Sequence, residues 1–94
     1  MNLNEEQLSM VEEMAGLFFP PEMIAINLEL DEDDTARFII NVQINTTSMP
    51  IVAAYYKGRL QSEIELRKSI KQSANNGSSP SQQMMLNFKR ESTR

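Results

Sequence analysis

The amino-acid sequence predicts an all-α fold, and three observations carry that prediction. Apolar residues recur at three- and four-residue spacing through most of the chain. Helix-capping residues stand ahead of four such stretches, at Asn4, Asp31, Ser48 and Ser79. Prolines fall at the openings of two of them, Pro50 and Pro80, and of a fifth stretch, Pro21, where a missing N–H costs nothing.

The first element runs from Asn4 to Phe19. Asn4 and Gln7 have capping-box spacing, and Glu5 and Glu6 suit the positive end of the helix dipole. Leu8, Val11, Ala15 and Phe18 form its apolar stripe, widened by Met14 and Leu17. Pro20 and Pro21 end it, because a residue before proline avoids helical angles.

Residues 21–44 fit two patterns. As two helices, the first opens on Pro21 and turns Ile24, Ala25 and Leu28 inward, and the second is capped by Asp31 with Glu32, Asp33 and Asp34 in its first turn. As a β-hairpin, Ile24, Ile26, Leu28 and Leu30 alternate with Ala25, Asn27 and Glu29, and residues 38–44 alternate likewise. The connection at residues 31–37 lacks the Asn-Gly or Asp-Gly pair of a tight hairpin turn, and four consecutive acids match a helix amino terminus. Two helices are therefore the expected form, with the hairpin as the alternative.

Residues 45–48, Asn-Thr-Thr-Ser, read as a loop because their side chains compete for backbone hydrogen bonds. A long helix follows from Met49 or Pro50 to Asn75, capped by Ser48. At about 1.5 Å per residue it reaches roughly 40 Å. Ile51, Ala54, Tyr55, Leu60, Ile64 and Ile70 supply its apolar stripe, and Leu66 adds a second. Gly58 marks a close helix contact or a slight bend, since glycine inside a helix costs about 1 kcal/mol relative to alanine. Asn76-Gly77 ends this helix. Ser79 then caps a last one, with Pro80 at its first position and Met84, Met85 and Phe88 on its apolar side. The short Gly-Ser-Ser-Pro connection folds it back antiparallel along the long helix, and residues 91–94 are expected to fray. The expected organisation is a helical region over 1–47 and, over 48–94, a helix pair that drives oligomerisation. One short partner cannot cover every apolar stripe of the long helix.

Ninety-four residues leave room for one domain of modest size. Cysteine is absent, which excludes disulfides, a thiol nucleophile and thiolate metal sites. Histidine is absent too, removing the commonest general base and metal ligand. No apolar run approaches the ~18 residues that span a bilayer, and no export signal opens the chain, so a cytoplasmic protein without membrane contact is expected. An EF-hand starting at Asp31 would need glycine and glutamate where Ala36 and Val42 stand, so the acidic run reads as a solvated helix start. The many serines lack a nucleophile–base pairing. The expectation is a non-enzymatic protein without cofactor or metal.

Charge is divided along the chain. Residues 1–34 hold ten acids and no base, a sum of −10, whereas residues 35–94 hold nine bases against three acids, a sum of +6. Lys57, Arg59, Arg67, Lys68 and Lys71 project from the long helix, with Lys89 and Arg90 on its partner and Tyr55 and Tyr56 beside the first pair. Such a face suits phosphate backbones. It reads equally as a solvated helix surface interspersed with Glu63 and Glu65.

The order of elements also resembles a known family. Residues 21–39, Pro-Glu-Met-Ile-Ala-Ile-Asn-Leu-Glu-Leu-Asp-Glu-Asp-Asp-Thr-Ala-Arg-Phe-Ile, resemble a helix-turn-helix completed by residue 44. Ala25 stands where the helices would cross, with Ile24, Leu28 and Leu30 around it. Residues 54–60 (Ala-Tyr-Tyr-Lys-Gly-Arg-Leu), 66–70 (Leu-Arg-Lys-Ser-Ile) and 74–80 (Ala-Asn-Asn-Gly-Ser-Ser-Pro) are similar to the segment after that motif in small terminase subunits of tailed phages and prophages. In those proteins a Gly-Lys/Arg pair opens a long helix that ends at Gly-Ser-Pro before a final helix. The resemblance spans roughly residues 8–90. It implies an all-helical fold, self-assembly into a homo-oligomer, and recognition of double-stranded viral DNA for delivery to the large, ATP-hydrolysing terminase subunit in a bacterial host cell.

Two features depart from the family pattern. Glu29 occupies the turn position where glycine is common, and the recognition helix opens on Asp31, Glu32, Asp33 and Asp34, which phosphates repel. DNA contacts are therefore expected from Arg37, Asn41, Gln43 and the long-helix bases Lys57, Arg59, Arg67, Lys68 and Lys71. The alternatives are a helical self-assembly or protein-interaction module without DNA binding, and a helix-turn-helix transcription regulator.

Overall fold

A computed structural model describes residues 1–92. It contains α1 (Glu5–Gly16), α2 (Pro21–Asn27), α3 (Glu32–Gln43), α4 (Pro50–Asn75) and α5 (Ser79–Ser92), with no strand among the described residues. The fold is all-α, and residues 21–44 form two helices rather than a hairpin. Glu91 and Ser92, expected to fray, continue α5; residues 93 and 94 lie outside the described residues. The chain forms two compact units, Met1–Ser62 and Glu63–Arg94. Their division falls inside α4, not in the preceding loop, because the first half of α4 packs into the amino-terminal core.

Two helix starts follow the expected capping. Asn4 and Gln7 form a reciprocal capping box, with bonds of 2.8 and 2.9 Å. Asp31 accepts the Asp34 N–H at 2.8 Å. Two other starts differ by one residue. Met49 rather than Ser48 precedes α4, and its carbonyl accepts the Ala53 N–H at 2.9 Å. Ser78 rather than Ser79 caps α5: its Oγ accepts the Ser81 N–H at 3.4 Å and its carbonyl the Gln82 N–H at 3.0 Å. Pro80 thus sits second in the helix, still within the first turn that tolerates proline.

Four helices end in the same hydrogen-bonded turn. After α1, the Phe18 N–H donates to Ala15 and the Phe19 N–H to Met14; after α2, Glu29 donates to Ile26 and Leu30 to Ala25. Asn45 and Thr46 repeat the pattern after α3, and Gly77 and Ser78 after α4. Each is a Schellman turn, which needs a left-handed residue just past the helix. Those residues are Phe18 (φ 66°), Glu29 (56°), Asn45 (58°) and Gly77 (94°). Only Gly77 and Asn45 are types that adopt this conformation readily. The turn at Phe18 also explains why α1 stops at Gly16, ahead of the prolines expected to end it. Glu29→Gly is expected to raise the unfolding free energy by about 0.5–1 kcal/mol, since relief of left-handed strain outweighs the added freedom of the unfolded chain. A urea midpoint at or below that of the unaltered protein would contradict this.

The first unit buries Val11 and Ala15 of α1, Ile24 and Ala25 of α2, Phe38 and Val42 of α3, and Ile51, Val52 and Tyr55 of α4. Phe38 meets Tyr55 edge-on, with ring centroids 6.2 Å apart. α1 and α4 run in the same direction: Gly58 lies on the backbone of Glu12, and the Ser62 hydroxyl donates to the Gly16 carbonyl, a 46-residue offset both times (58 against 12, 62 against 16). Gly58 is therefore a close helix contact. Phe18, expected in the core, is exposed, because α1 ends before it. Leu60, also expected to be inward-facing, is exposed as well.

In the second unit, α5 folds back along residues 63–75 of α4. The Gln82 amide donates to the Ala74 carbonyl at 3.1 Å, while Arg67 meets Phe88 and Glu91, so the two helices run antiparallel. Ile70 is buried here, whereas Ile64, Leu66, Met84 and Leu86 are exposed and α5 has no buried residue.

Candidate nucleic-acid interface

The helix-turn-helix of the first unit is α2, the turn at residues 28–31, and α3. Ile24 and Ala25 of α2 and Phe38 and Val42 of α3 fix the pair from inside. That leaves Asp33, Ala36, Arg37, Ile40, Gln43 and Ile44 exposed on the outer side of α3 and its end. Asn41 donates through Nδ2 to the Arg37 carbonyl at 2.7 Å, so this side-chain donor is turned onto its own helix. Gln43 is exposed at the carboxyl end.

Arg37 is exposed and lines a cavity of about 400 Å³ together with Met49, Pro50 and Ile51, the opening of α4. The first N–H groups of a helix lack intrahelical acceptors, and Met49 offers no side-chain oxygen to take their place. This combines a guanidinium with the positive end of a long helix, an arrangement favourable to an anion.

The long-helix bases divide sharply. Arg59 is consumed by packing: its guanidinium carbon lies 5.3 Å from the Phe18 ring centre and 5.1 Å from that of Tyr55, and Nη2 approaches the Phe19 carbonyl at 3.4 Å. Its Nε is buried without an acceptor among the described residues. Arg59 is thus a cation at the carboxyl end of α1, where the dipole favours it. Arg67 is likewise engaged, 2.8 Å from Glu63, 3.7 Å from Glu91 and 3.9 Å over the Phe88 ring. Lys57 is exposed and only loosely paired with Glu12, at 3.9 Å. Lys68 and Lys71 are exposed and have no ion pair among the described residues.

The two tyrosines do not form a stacking surface. Tyr55 is buried against Phe38, and the half-buried Tyr56 donates its hydroxyl to the Val42 carbonyl at the end of α3. Sequence spacing foreshadowed neither the Phe18–Arg59–Tyr55 stack nor the use of Tyr56 as a tether, because each joins α4 to the end of another helix, α1 for the stack and α3 for the tether.

The acidic residues at the start of α3 do not combine into a metal-ligand group of three or more among the described residues. No helix there is long and apolar enough to cross a membrane. Compared with protein-family models, curated proteins and solved structures, the chain matches none.

Proposed function

We propose that the chain is a non-enzymatic DNA-packaging adaptor of small-terminase type, a homo-oligomer that binds double-stranded DNA and presents it to a large terminase subunit. One observation carries this reading. α2 and α3 are joined by a short turn with Glu29 in the left-handed conformation, where such turns commonly hold glycine, and a long helix and a closing antiparallel helix follow. That is the order the resemblance implies. The phosphate contacts belong to cations without an ion pair among the described residues: Arg37, beside the opening of α4, and Lys68. The acidic start of α3 faces away from the duplex, and residues from Arg37 onward approach it.

A second reading, a protein-assembly module without DNA binding, draws support from the exposed side of α3. Ala36, Ile40 and Ile44 alternate there with Asp33 and Gln43, a mixture better suited to protein than to phosphate. A salt titration separates the readings. Wild-type binding should weaken steeply with salt, and Arg37→Gln with Lys68→Gln should reduce the log–log slope by about 2 for each bound chain. Glu32→Gln with Asp33→Gln should bind as well as wild type or better. No retention on DNA at about 50 mM salt, where the electrostatic contribution is strong, would establish the assembly reading instead. Preference for a single operator sequence would mark a transcription regulator.

A further inference from the structure

We infer that copies of this chain dock head to tail, the acidic face of α1 on one copy seating in the basic groove between α4 and α5 on the next. The acidic face is a stripe. Glu6, Met10, Glu13 and Leu17 are all exposed and recur at spacings of four, three and four, so they share one side of α1 and its terminal turn. Glu29 joins them across a groove of about 460 Å³ that Glu6 and Met10 also line, with no basic residue in its wall. Leu17 is 65% exposed and Met10 40%, so the stripe offers apolar surface as well as charge.

The second unit carries the complement. An open groove of about 780 Å³ has Met85, Leu86 and Phe88 in its wall and Lys71 and Lys89 among its lining residues, with no acid there. The two faces also match in length. Eleven residues separate Glu6 from Leu17, about 16 Å, and ten separate Gln82 from Ser92 along the groove, about 15 Å.

Charge decides which pairing of copies is favourable. Residues 1–62 carry ten acids against three bases, net −7, and residues 63–94 six bases against three acids, net +3. Groove on groove would oppose lysines to lysines, and stripe on stripe would oppose glutamates to glutamates. Only stripe on groove brings opposite charges together over apolar surface. Such a contact joins unlike faces: two copies that exchange it form a two-fold dimer, and copies that pass it on form a ring or a filament. This contact does not depend on DNA being bound.

Sedimentation of the full chain without DNA tests it. At about 100 µM, above the dissociation constants of most specific protein contacts, wild type should sediment as an oligomer. Glu13→Lys with Glu29→Lys, and separately Lys71→Glu with Lys89→Glu, should each weaken association at least tenfold while keeping helical circular dichroism. An equimolar mixture of the two variants should restore the oligomer, because the exchanged charges again oppose each other. If the glutamate variant loses its helical signal, Lys71→Gln with Lys89→Gln takes its place, with weakened association still expected. A monomeric wild type, a reversed variant that associates like wild type, or a mixture that stays monomeric would each overturn the proposal. Loss of DNA binding with the oligomer intact would count against the packaging reading alone.

Discussion

Gly58→Ala is expected to destabilise the protein by about 3 kcal/mol, the upper end for an overpacked core, and to lower the melting temperature by more than about 10 °C. The direction is the informative part. Alanine is the better helix former by about 1 kcal/mol, so an uncrowded α4 would gain stability. A methyl at position 58 instead meets the backbone carbonyl of Glu12. Backbone cannot rotate aside as a side chain can, so α1 would have to move away from α4. That displacement would open the Ser62–Gly16 hydrogen bond and loosen Val11 and Ala15. Gly77→Ala is the control. Nothing lies within 4 Å of its added methyl, and only the left-handed φ of 94° opposes it, a cost of about 1 kcal/mol. Urea unfolding followed by circular dichroism measures both, and a Gly58→Ala protein as stable as wild type would mean that α1 and α4 do not touch there.

The contrast between these glycines shows what a sequence can carry. Both sit within or just after the same helix, and local rules read Gly77 correctly, because a helix end after Asn75-Asn76 is written in neighbouring residues. Gly58 could be read only as contact or bend, since its partner lies 46 residues away. The same division holds elsewhere. Asn4 and Asp31 were legible as caps because each bonds a backbone N–H three residues on. α1 ends three residues before the Phe19 that local pattern indicates, since Phe18 adopts a left-handed conformation that its type disfavours and the stack with Arg59 is non-local. The earlier stop of α1 also changes the candidate site. A helix reaching Phe19 would leave Arg59 a free cation and put Phe18 in the core; the shorter helix instead exposes Phe18 and stacks Arg59 on it. Arg67 is engaged for a similar, partly non-local reason. Its pairing with Glu63 follows from i, i+4 spacing, but Glu91 and Phe88 reach it only once α5 folds back.

Phe38→Ala should be the most damaging substitution of a side chain, at about 3–5 kcal/mol. Phe38 is fully buried at the centre of α3, and no other fully buried side chain among the described residues is larger. It touches α4 through the Tyr55 ring, which itself stacks on Arg59 and stands at right angles to Tyr56. Removing the ring leaves a cavity that α3 alone cannot fill, since Val42 and Ile24 are held by their own helices. It also frees Tyr55, so the Arg59 clamp on the end of α1 should loosen with it. Phe38→Leu keeps most of the apolar volume and forfeits mainly the edge-on ring contact, worth about 0.5–1.5 kcal/mol beyond area, so it should cost far less. For a small domain with total stability near the low end of about 5–15 kcal/mol, the alanine variant approaches complete unfolding of the first unit, and the leucine variant does not. Urea midpoints that fall in the order wild type, Phe38→Leu, Phe38→Ala, with the last step much the larger, are the expected result. A Phe38→Ala protein within about 1 kcal/mol of wild type would mean that the site collapses freely and that α3 is not anchored through this ring. The Arg37 cavity would then lack the fixed geometry on which its anion reading depends.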